Sequence, residues 1–310
     1  MLDRGPLGRL GGATEHGALT VAWRPVTTGL RSVATFARSK PIGAFSAALI
    51  IALVLMSVLA PVISPYSPNK PLVGPIFDAP SWSNLFGTDG QGRDVLSRII
   101  WGGRSSLMVG VTSVLFGTII GAAIGVASGY FGGRTDLLVQ RGVDALMAFP
   151  TLVLALAVVA VLGSSQPILI LTIAIVVMPL ASRVARGSTL SVKEEVYIDS
   201  ARALGASASR ILWRHILPNL MAPIIVILSV QIGFAILIAA SLAFLGLGPP
   251  PPAVAWGSML SLEGRENMEI APWLGIFPGL FLSLTILSFN MLGDAIRDVL
   301  DPRLRGTRAR

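Results

Sequence analysis

The amino-acid sequence predicts an all-α integral membrane protein with six transmembrane helices. Of its 310 residues, 53% are hydrophobic and only 13% are charged, which is about half the charged fraction of a typical soluble domain. The charged residues also avoid long intervals. No Asp, Glu, Lys or Arg lies between Lys40 and Lys70, Arg104 and Arg134, Asp144 and Arg183, Arg214 and Glu263, or Glu269 and Asp294. Because a charged side chain is costly inside a bilayer, these intervals are the expected spans.

A spanning helix needs about 20 mostly apolar residues, and the charge-free intervals hold six such segments. The third interval contains two shorter spans separated by a turn at residues 162–166. The spans are predicted at Ile42–Ile63, Ser106–Gly129, Ala145–Val161, Pro167–Ala181, Ala222–Leu247 and Ile276–Leu292. In span two, Gly121 and Gly125 form a small-residue motif for close helix packing, and a static contact is favoured over a sliding seam.

The distribution of cations predicts which side of the membrane each segment faces. With the N-terminus inside, 19 of the 24 Lys and Arg residues lie in the tails and inner loops. The outer segments hold the others, Lys70, Arg93, Arg98, Arg104 and Arg265. Because basic loops remain cytoplasmic, both termini are predicted to be cytoplasmic in a multi-pass protein of the cell (plasma or inner) membrane. This bias, and not nucleic-acid binding, explains the net charge of +8.

Three regions are predicted along the chain. Residues 1–40 are a cytoplasmic N-terminal tail, partly disordered because it is rich in Gly, Thr and Arg and has little apolar periodicity. A short interfacial helix over Leu30–Lys40 is the alternative. Residues 41–302 form the six-helix transmembrane permease domain, and residues 303–310 form a cytoplasmic C-terminal tail. The chain has no cysteine, which excludes disulfides and thiolate metal sites.

The outer segment between spans one and two, residues 64–104, is long and begins with a proline-rich stretch. We expect it to run extended to a turn at Asp89-Gly90 and to close in an amphipathic helix over Asp94–Trp101 at the outer membrane surface. Residues 89–94 weakly suggest a calcium loop. Because Gln and Arg occupy ligand positions and the final Glu is missing, no metal site is predicted.

The polar segment between spans four and five is predicted to form two short helices. The first covers Val192–Leu204, and Gly205 follows its end in a left-handed conformation. Ser207 is predicted to cap a second helix, Ala208–Leu217, which Pro218 ends. The sequence therefore predicts a helix–turn–helix at this point of the chain.

This segment, which we call the inner loop (residues 183–219), has a composition suited to contact with another protein. Ala201 and Leu204 are predicted to expose a small apolar surface beside the turn. Charged side chains surround it, at Asp199, Arg202, Arg210 and Arg214. Small side chains allow a partner to approach closely, and the charges set its orientation. On pattern alone, a solvated connector without a partner is an equal alternative.

Four motifs occur in order along residues 40–306. They are Asp199-Ser200-Ala201-x-x-x-Gly205 with Ile216-Leu217-Pro218-Asn219, and segments within 87–98, 241–257 and 289–302. Together they resemble the dipeptide/oligopeptide/nickel family of ABC importer permeases, specifically its second, "C-type" permease subunit, whose EAA loop the inner loop resembles. Asp199 stands where that family usually has Glu, and Ser200 where it usually has Ala.

The resemblance implies a type I ABC importer permease fold and a transport function. The chain would form the translocation path with a second, homologous permease subunit and couple to two ATP-binding cassette ATPases. An extracytoplasmic binding protein would deliver the substrate, most consistent with di- or oligopeptides; nickel or another small solute is the alternative. The sequence lacks the phosphate-binding Gly-x-x-x-x-Gly-Lys-Ser/Thr motif, so no enzyme activity and no cofactor are expected in this chain. ATP and Mg would be bound by the partner ATPases.

The resemblance also assigns a role to the inner loop. ATP-driven closure of the ATPases would pull its helices and rotate spans three to five as a rigid unit. The coupling residues implied are Asp199, Ser200, Ala201, Arg202, Leu204, Gly205, Arg210, Ile216, Leu217 and Pro218.

Few polar residues are candidates for contacts with substrate or with the binding protein. Gln231 and Asn290 are the candidates for the translocation path, although an interhelical hydrogen bond is the commoner role of such residues. Glu263 and Glu266, in the outer segment before span six, are candidate contacts with the binding protein. No catalytic residues are predicted. A secondary transporter is the less favoured alternative, because such proteins usually place ionisable groups within the spans.

Overall fold

The computed structural model describes residues 37–300, with the exception of the side chains of Leu262 and Glu263. The C-terminal tail and most of the N-terminal tail, including most of the alternative helix Leu30–Lys40, lie outside the described residues. Within them every regular element is a helix, apart from one isolated β-bridge between Thr88 and Asp94. The predicted all-α class is therefore confirmed.

The helices have the following bounds. They are α1 Pro41–Val58, α2 Ala60–Ile63, α3 Val95–Phe131, α4 Gly133–Met147, α5 Thr151–Leu162, α6 Gln166–Lys193, α7 Val196–Ala203, α8 Ala208–Ile211, α9 Leu217–Leu242, α10 Trp256–Leu260, α11 Leu262–Glu266 and α12 Trp273–Leu300. One-turn π-helices join α8 to α9 at Leu212–Ile216 and extend α9 over Ala243–Leu247.

Five of the described helices are long and apolar enough to cross a membrane, with Ala208–Leu247 counted as one. Together, α4 and α5 meet the same criterion but are bent by 91°, so the predicted third span is a broken one. Its bend follows from Pro150, which disfavours helical backbone at Phe149. Helix α5 has 12 residues and is about 18 Å long, which is shorter than the hydrocarbon core of about 30 Å.

The second span is longer than the sequence predicts. The expected interfacial helix over Asp94–Trp101 is not a separate element, because α3 continues through it from Val95 to Phe131. Gly102 and Gly103 are helical and allow the buried ring of Trp256 to lie directly against α3. The Trp256 indole donates to the carbonyl of Ile99 at 2.9 Å. This contact fixes the outer end of α3 to the segment between α9 and α12.

A seam of glycines joins α3 to α6 at the centre of the bundle. A Cβ atom on Gly117 would lie 2.6 Å from the carbonyl oxygen of Ala174. Methyl groups added at Gly121 and Gly125 would overlap the carbonyl oxygens of Met178 and Ser182, because they would lie much closer than van der Waals contact. Only glycine lets the two backbones approach this closely. The predicted packing role of Gly121 and Gly125 is confirmed.

The outer segment folds around two buried carboxylates. Asp89 accepts hydrogen bonds from the backbone N–H groups of Gln91 and Arg93 at 2.9 and 3.0 Å. Its second oxygen accepts from Arg93 Nε at 2.6 Å and lies 3.3 Å from Arg98 Nη1. Asp94 caps α3 by accepting from the Ser97 N–H at 2.8 Å. Protein donors thus surround both carboxylates.

We expect Asp89→Asn to destabilise the outer segment by about 2 kcal/mol, since it replaces charge-assisted hydrogen bonds by neutral ones in a buried site. Thermal unfolding of the purified chain, and limited proteolysis between α2 and α3, measure this. Asp78→Asn is the control, because within the described residues only main-chain atoms of Asp78 form hydrogen bonds. Equal stability of the two variants would contradict the role given to Asp89.

Candidate functional site

The inner loop forms the predicted helix–turn–helix with shifted boundaries. The long helix α6 includes Val192 and Lys193, and a break at residues 194–195 precedes α7. The predicted first helix, Val192–Leu204, was therefore wrong at its start. Helix α7 ends at Ala203, and Gly205 follows with φ of +78°, a conformation that residues with a Cβ rarely adopt. The Gly205 and Ala206 N–H groups donate to the carbonyls of Arg202 and Ala201 at 2.9 and 3.0 Å.

The second helix does not end at Pro218 as predicted. Ser207 caps α8 by accepting from the Arg210 N–H at 3.4 Å, as expected. The chain then continues through the π-helical turn Leu212–Ile216 into α9. In this turn the Leu217 N–H donates to the carbonyl of Leu212. A widened turn leaves room for a residue that cannot donate, so Pro218 lies at the start of α9 and not at the end of a helix.

The underside of the inner loop packs onto the bundle. Ile198 on α7 and Ile211 on α8 are buried, together with Ile216 and Leu220. They form a second apolar cluster with Ala122 of α3 and Ala185 of α6, separate from the main core. Of the coupling residues implied by the sequence, Ile216 belongs to this buried side. The inner loop is therefore packed against α3, α6 and α9.

The surface of the inner loop that faces away from the bundle exposes large apolar side chains. Leu204 is 89% exposed, Val196 is 80% exposed and Trp213 is 71% exposed. Asp199 and Arg202 form an exposed ion pair on α7 at 2.9 Å, and Arg210 and Arg214 are exposed on the following turn. Exposed aromatic and aliphatic side chains with charges around them are typical of a protein-docking surface.

Sequence reasoning missed three residues of the inner loop that the structure shows to be part of this site. Val196 and Trp213 are bulky apolar residues in a polar segment, and that contrast was the available signal. Asn219, quoted only as part of a motif, connects the two halves of the loop: its amide donates to the carbonyl of His215 at 2.6 Å and to the Tyr197 hydroxyl at 3.2 Å. The rings of Tyr197 and His215 lie 6.1 Å apart. These contacts hold α7 against the π-helical turn.

The two path candidates lie on different sides of α9. Gln231 is buried, and its amide donates to the carbonyl of Val177 on α6 at 3.1 Å. This is the interhelical hydrogen bond that the sequence left as the commoner role. Asn290 on α12 is exposed, and its side chain lies against Gly233 of α9. The structure therefore leaves Asn290 accessible from outside the bundle and Gln231 inaccessible.

The outer candidates lie on a short helix before α12. Glu266 is exposed at the end of α11. Glu263 is in the same helix. Among residues 37–300, no group of three or more His, Asp or Glu side chains is placed to hold a metal ion. The candidate site is the exposed surface of the inner loop, with Leu204, Val196 and Trp213.

The sequence is similar to a known family of transport proteins and to several of its curated members. The family described as "Binding-protein-dependent transport system inner membrane component" matches residues 117–306. The glutathione transport system permease protein GsiD of Pectobacterium atrosepticum is 47% identical over 228 residues, which are 74% of this chain and 75% of that protein. A putative peptide transport system permease protein of Brucella suis is 42% identical over 257 residues, 83% and 86% of the two chains.

A solved structure has a related fold. A chain of the MetNI methionine ABC transporter, in an inward-facing conformation, superposes with a TM-score of 0.54 and 18% sequence identity. The match covers 66% of this chain and 97% of that one. At this identity the similarity shows the fold alone.

Proposed function

This chain belongs to the family of binding-protein-dependent transport system inner membrane components, and on that premise we propose that it carries peptides across the cell membrane. The family relationship predicted from the four motifs is confirmed, and so are the permease function, the type I importer fold and the membrane location. The structural observation that supports ATP-driven transport is the inner loop, which has a buried underside and exposed apolar side chains at the end of the bundle.

We propose that ATP is hydrolysed by partner ATPase subunits that dock on the inner loop. Leu204 and Trp213 are large, exposed and flanked by charges, as expected for an interface anchor. The buried cluster beneath them includes side chains from α3, α6 and α9. A displacement of the docked ATPases is thereby passed to those helices as a rigid-body movement. A second permease completes the path, and a binding protein docks on the outer side near Glu263 and Glu266.

The proposed substrate class follows from the relatives. One is named for glutathione, which is a tripeptide, and the other for peptides. The five sequence intervals that supply most of each span contain no Asp, Glu, Lys or Arg. Their polar groups, such as the side chain of Asn290, are uncharged. An uncharged passage suits cargo of varied side chains, with selection by the binding protein. These observations favour peptides over nickel.

We expect cells that lack this chain to lose most of their uptake of labelled glutathione or of a labelled dipeptide, and to regain it on complementation. Uptake of ⁶³Ni²⁺, measured in the same cells, is the matched comparison and should not change. A selective loss of nickel uptake would contradict the peptide assignment. Peptide uptake that persists without the ATPases and stops on collapse of the proton gradient would indicate a secondary transporter instead.

A further inference from the structure

Helix α4 crosses the bundle at the end that carries the inner loop. It makes an angle of 91° with α5, so α4 lies across the direction of α5. It follows directly on α3 through Gly132 and Gly133, both with positive φ, which permits the sharp reversal of the chain. If α5 runs along the membrane normal, α4 has the orientation of an interfacial amphipathic helix.

The inner side of α4 is fixed to α6 by two ion pairs. Asp136 accepts two hydrogen bonds from the Arg186 guanidinium, at 2.6 and 2.5 Å. Asp144 accepts from Arg183 at 2.7 Å. Both acidic residues of α4 are thus neutralised by cations of the neighbouring helix, and the bidentate geometry at Arg186 sets the position of α4.

The side of α4 that faces away from the bundle carries its remaining charges. Arg134, Leu138 and Arg141 recur at a spacing of three to four residues and therefore share one face. All three are exposed, Leu138 by 71%. Neither arginine forms a salt bridge within residues 37–300, in contrast to Asp136 and Asp144. This face of α4 combines cationic and apolar side chains, and the neighbouring Asp144 is already paired with Arg183.

We propose that this face binds anionic phospholipid of the cytoplasmic leaflet, with the headgroup phosphates on Arg134 and Arg141 and acyl chains against Leu137 and Leu138. The combination of two unpaired guanidinium groups with exposed leucines, on a helix perpendicular to a span, matches the polar and apolar layers of a lipid surface. Guanidinium groups also bind phosphate through two parallel hydrogen bonds. A protein partner would instead require acidic side chains facing two separated arginines.

The site has a mechanical consequence. Arg183 and Arg186, which hold α4, lie on the last part of α6, which belongs to the inner loop. Lipid bound on the outer face of α4 is therefore connected through the ion pairs to the helix that leads to the docking surface. Anionic lipid would hold α6 at a fixed height relative to the membrane.

Native mass spectrometry of the purified full-length chain tests the lipid site directly. The probes are phosphatidylglycerol and phosphatidylcholine with identical acyl chains. Arg134→Gln combined with Arg141→Gln is expected to weaken phosphatidylglycerol binding about thirtyfold, since each cation near an anionic lipid surface contributes about fivefold. Phosphatidylcholine binding should not change. The Arg134→Lys and Arg141→Lys double variant should retain most of the affinity.

The matched control is Arg210→Gln with Arg214→Gln, which removes the same charge from two exposed arginines on the same side of the membrane. Equal weakening by this control would overturn the proposal, because it would show a general charge effect. Undiminished phosphatidylglycerol binding by the α4 variant would overturn it as well. If the α4 variant lost a co-purifying ATPase while its lipid binding stayed unchanged, the α4 face would dock a protein and not lipid.

Discussion

Replacing Gly125 with alanine is expected to remove most of the folded protein from the membrane. The added methyl group would overlap the carbonyl oxygen of Ser182 on α6, which is backbone and cannot rotate away. Helices α3 and α6, which form the most extensive contact of the bundle, would have to separate, at a cost of about 3 kcal/mol or more. Size-exclusion chromatography of the solubilised chain measures the folded fraction, and a thermal ramp measures the midpoint of unfolding.

Gly187→Ala is the control for this result. Gly187 is also in the interior of a helix, α6, but it is exposed and a Cβ atom there would meet nothing within 4 Å. Because alanine is favoured over glycine in helices by about 1 kcal/mol, this variant should be as stable as the parent chain or slightly more so. If Gly125→Ala behaved like Gly187→Ala, the glycine seam would not be a close contact.

Replacing Gly205 with valine is expected to abolish coupling while membrane insertion stays intact. Gly205 has φ of +78°, which a β-branched residue adopts only with strain. A Cβ atom at this position would have free space, so the effect comes from the backbone and not from a clash. The turn after α7 would open and displace Leu204 from the docking surface. Substrate-stimulated ATP hydrolysis of the assembled importer should fall at least about tenfold, which corresponds to about 1.4 kcal/mol.

Gly163→Val separates coupling from backbone strain. Gly163 has φ of +95° and lies in an open turn between α5 and α6, at the opposite end of the bundle from the inner loop. Valine at this position should lower the free energy of unfolding about as much as valine in place of Gly205. ATP hydrolysis and retention of the ATPase should nevertheless stay close to normal. Equal loss of activity in both variants would contradict a specific role for the Gly205 turn.

The path candidates show the limit of composition as a guide. Both Gln231 and Asn290 are polar residues inside charge-free intervals, and sequence alone ranked them together. The structure separates them, because Gln231 is buried between α9 and α6 with its amide bonded to Val177, whereas Asn290 is exposed on α12. Helical periodicity defines a face of each helix but not which neighbour covers it.

Two prolines show how packing changes the result that a local rule predicts. The predicted third span, Ala145–Val161, runs through Pro150, whereas Pro218 was expected to end a helix. At Pro150 the chain bends by 91° between α4 and α5, since nothing restores the helix around Phe149. At Pro218 the helix continues, because the π-helical turn Leu212–Ile216 and the buried Ile211, Ile216 and Leu220 keep the backbone helical. Tertiary packing decides whether a proline ends a helix.

The sequence by itself determined the all-α class, five of the predicted spans and the helix–turn–helix of the inner loop. Charge-free intervals fix where the chain can enter a bilayer, and a glycine after a short helix fixes a left-handed turn, because both follow from local solvation and sterics. Only the tertiary structure decided which residues meet along the glycine seam between α3 and α6, and that Asp136 and Asp144 pair with Arg186 and Arg183. These depend on contacts between residues distant in the chain, which no local pattern specifies.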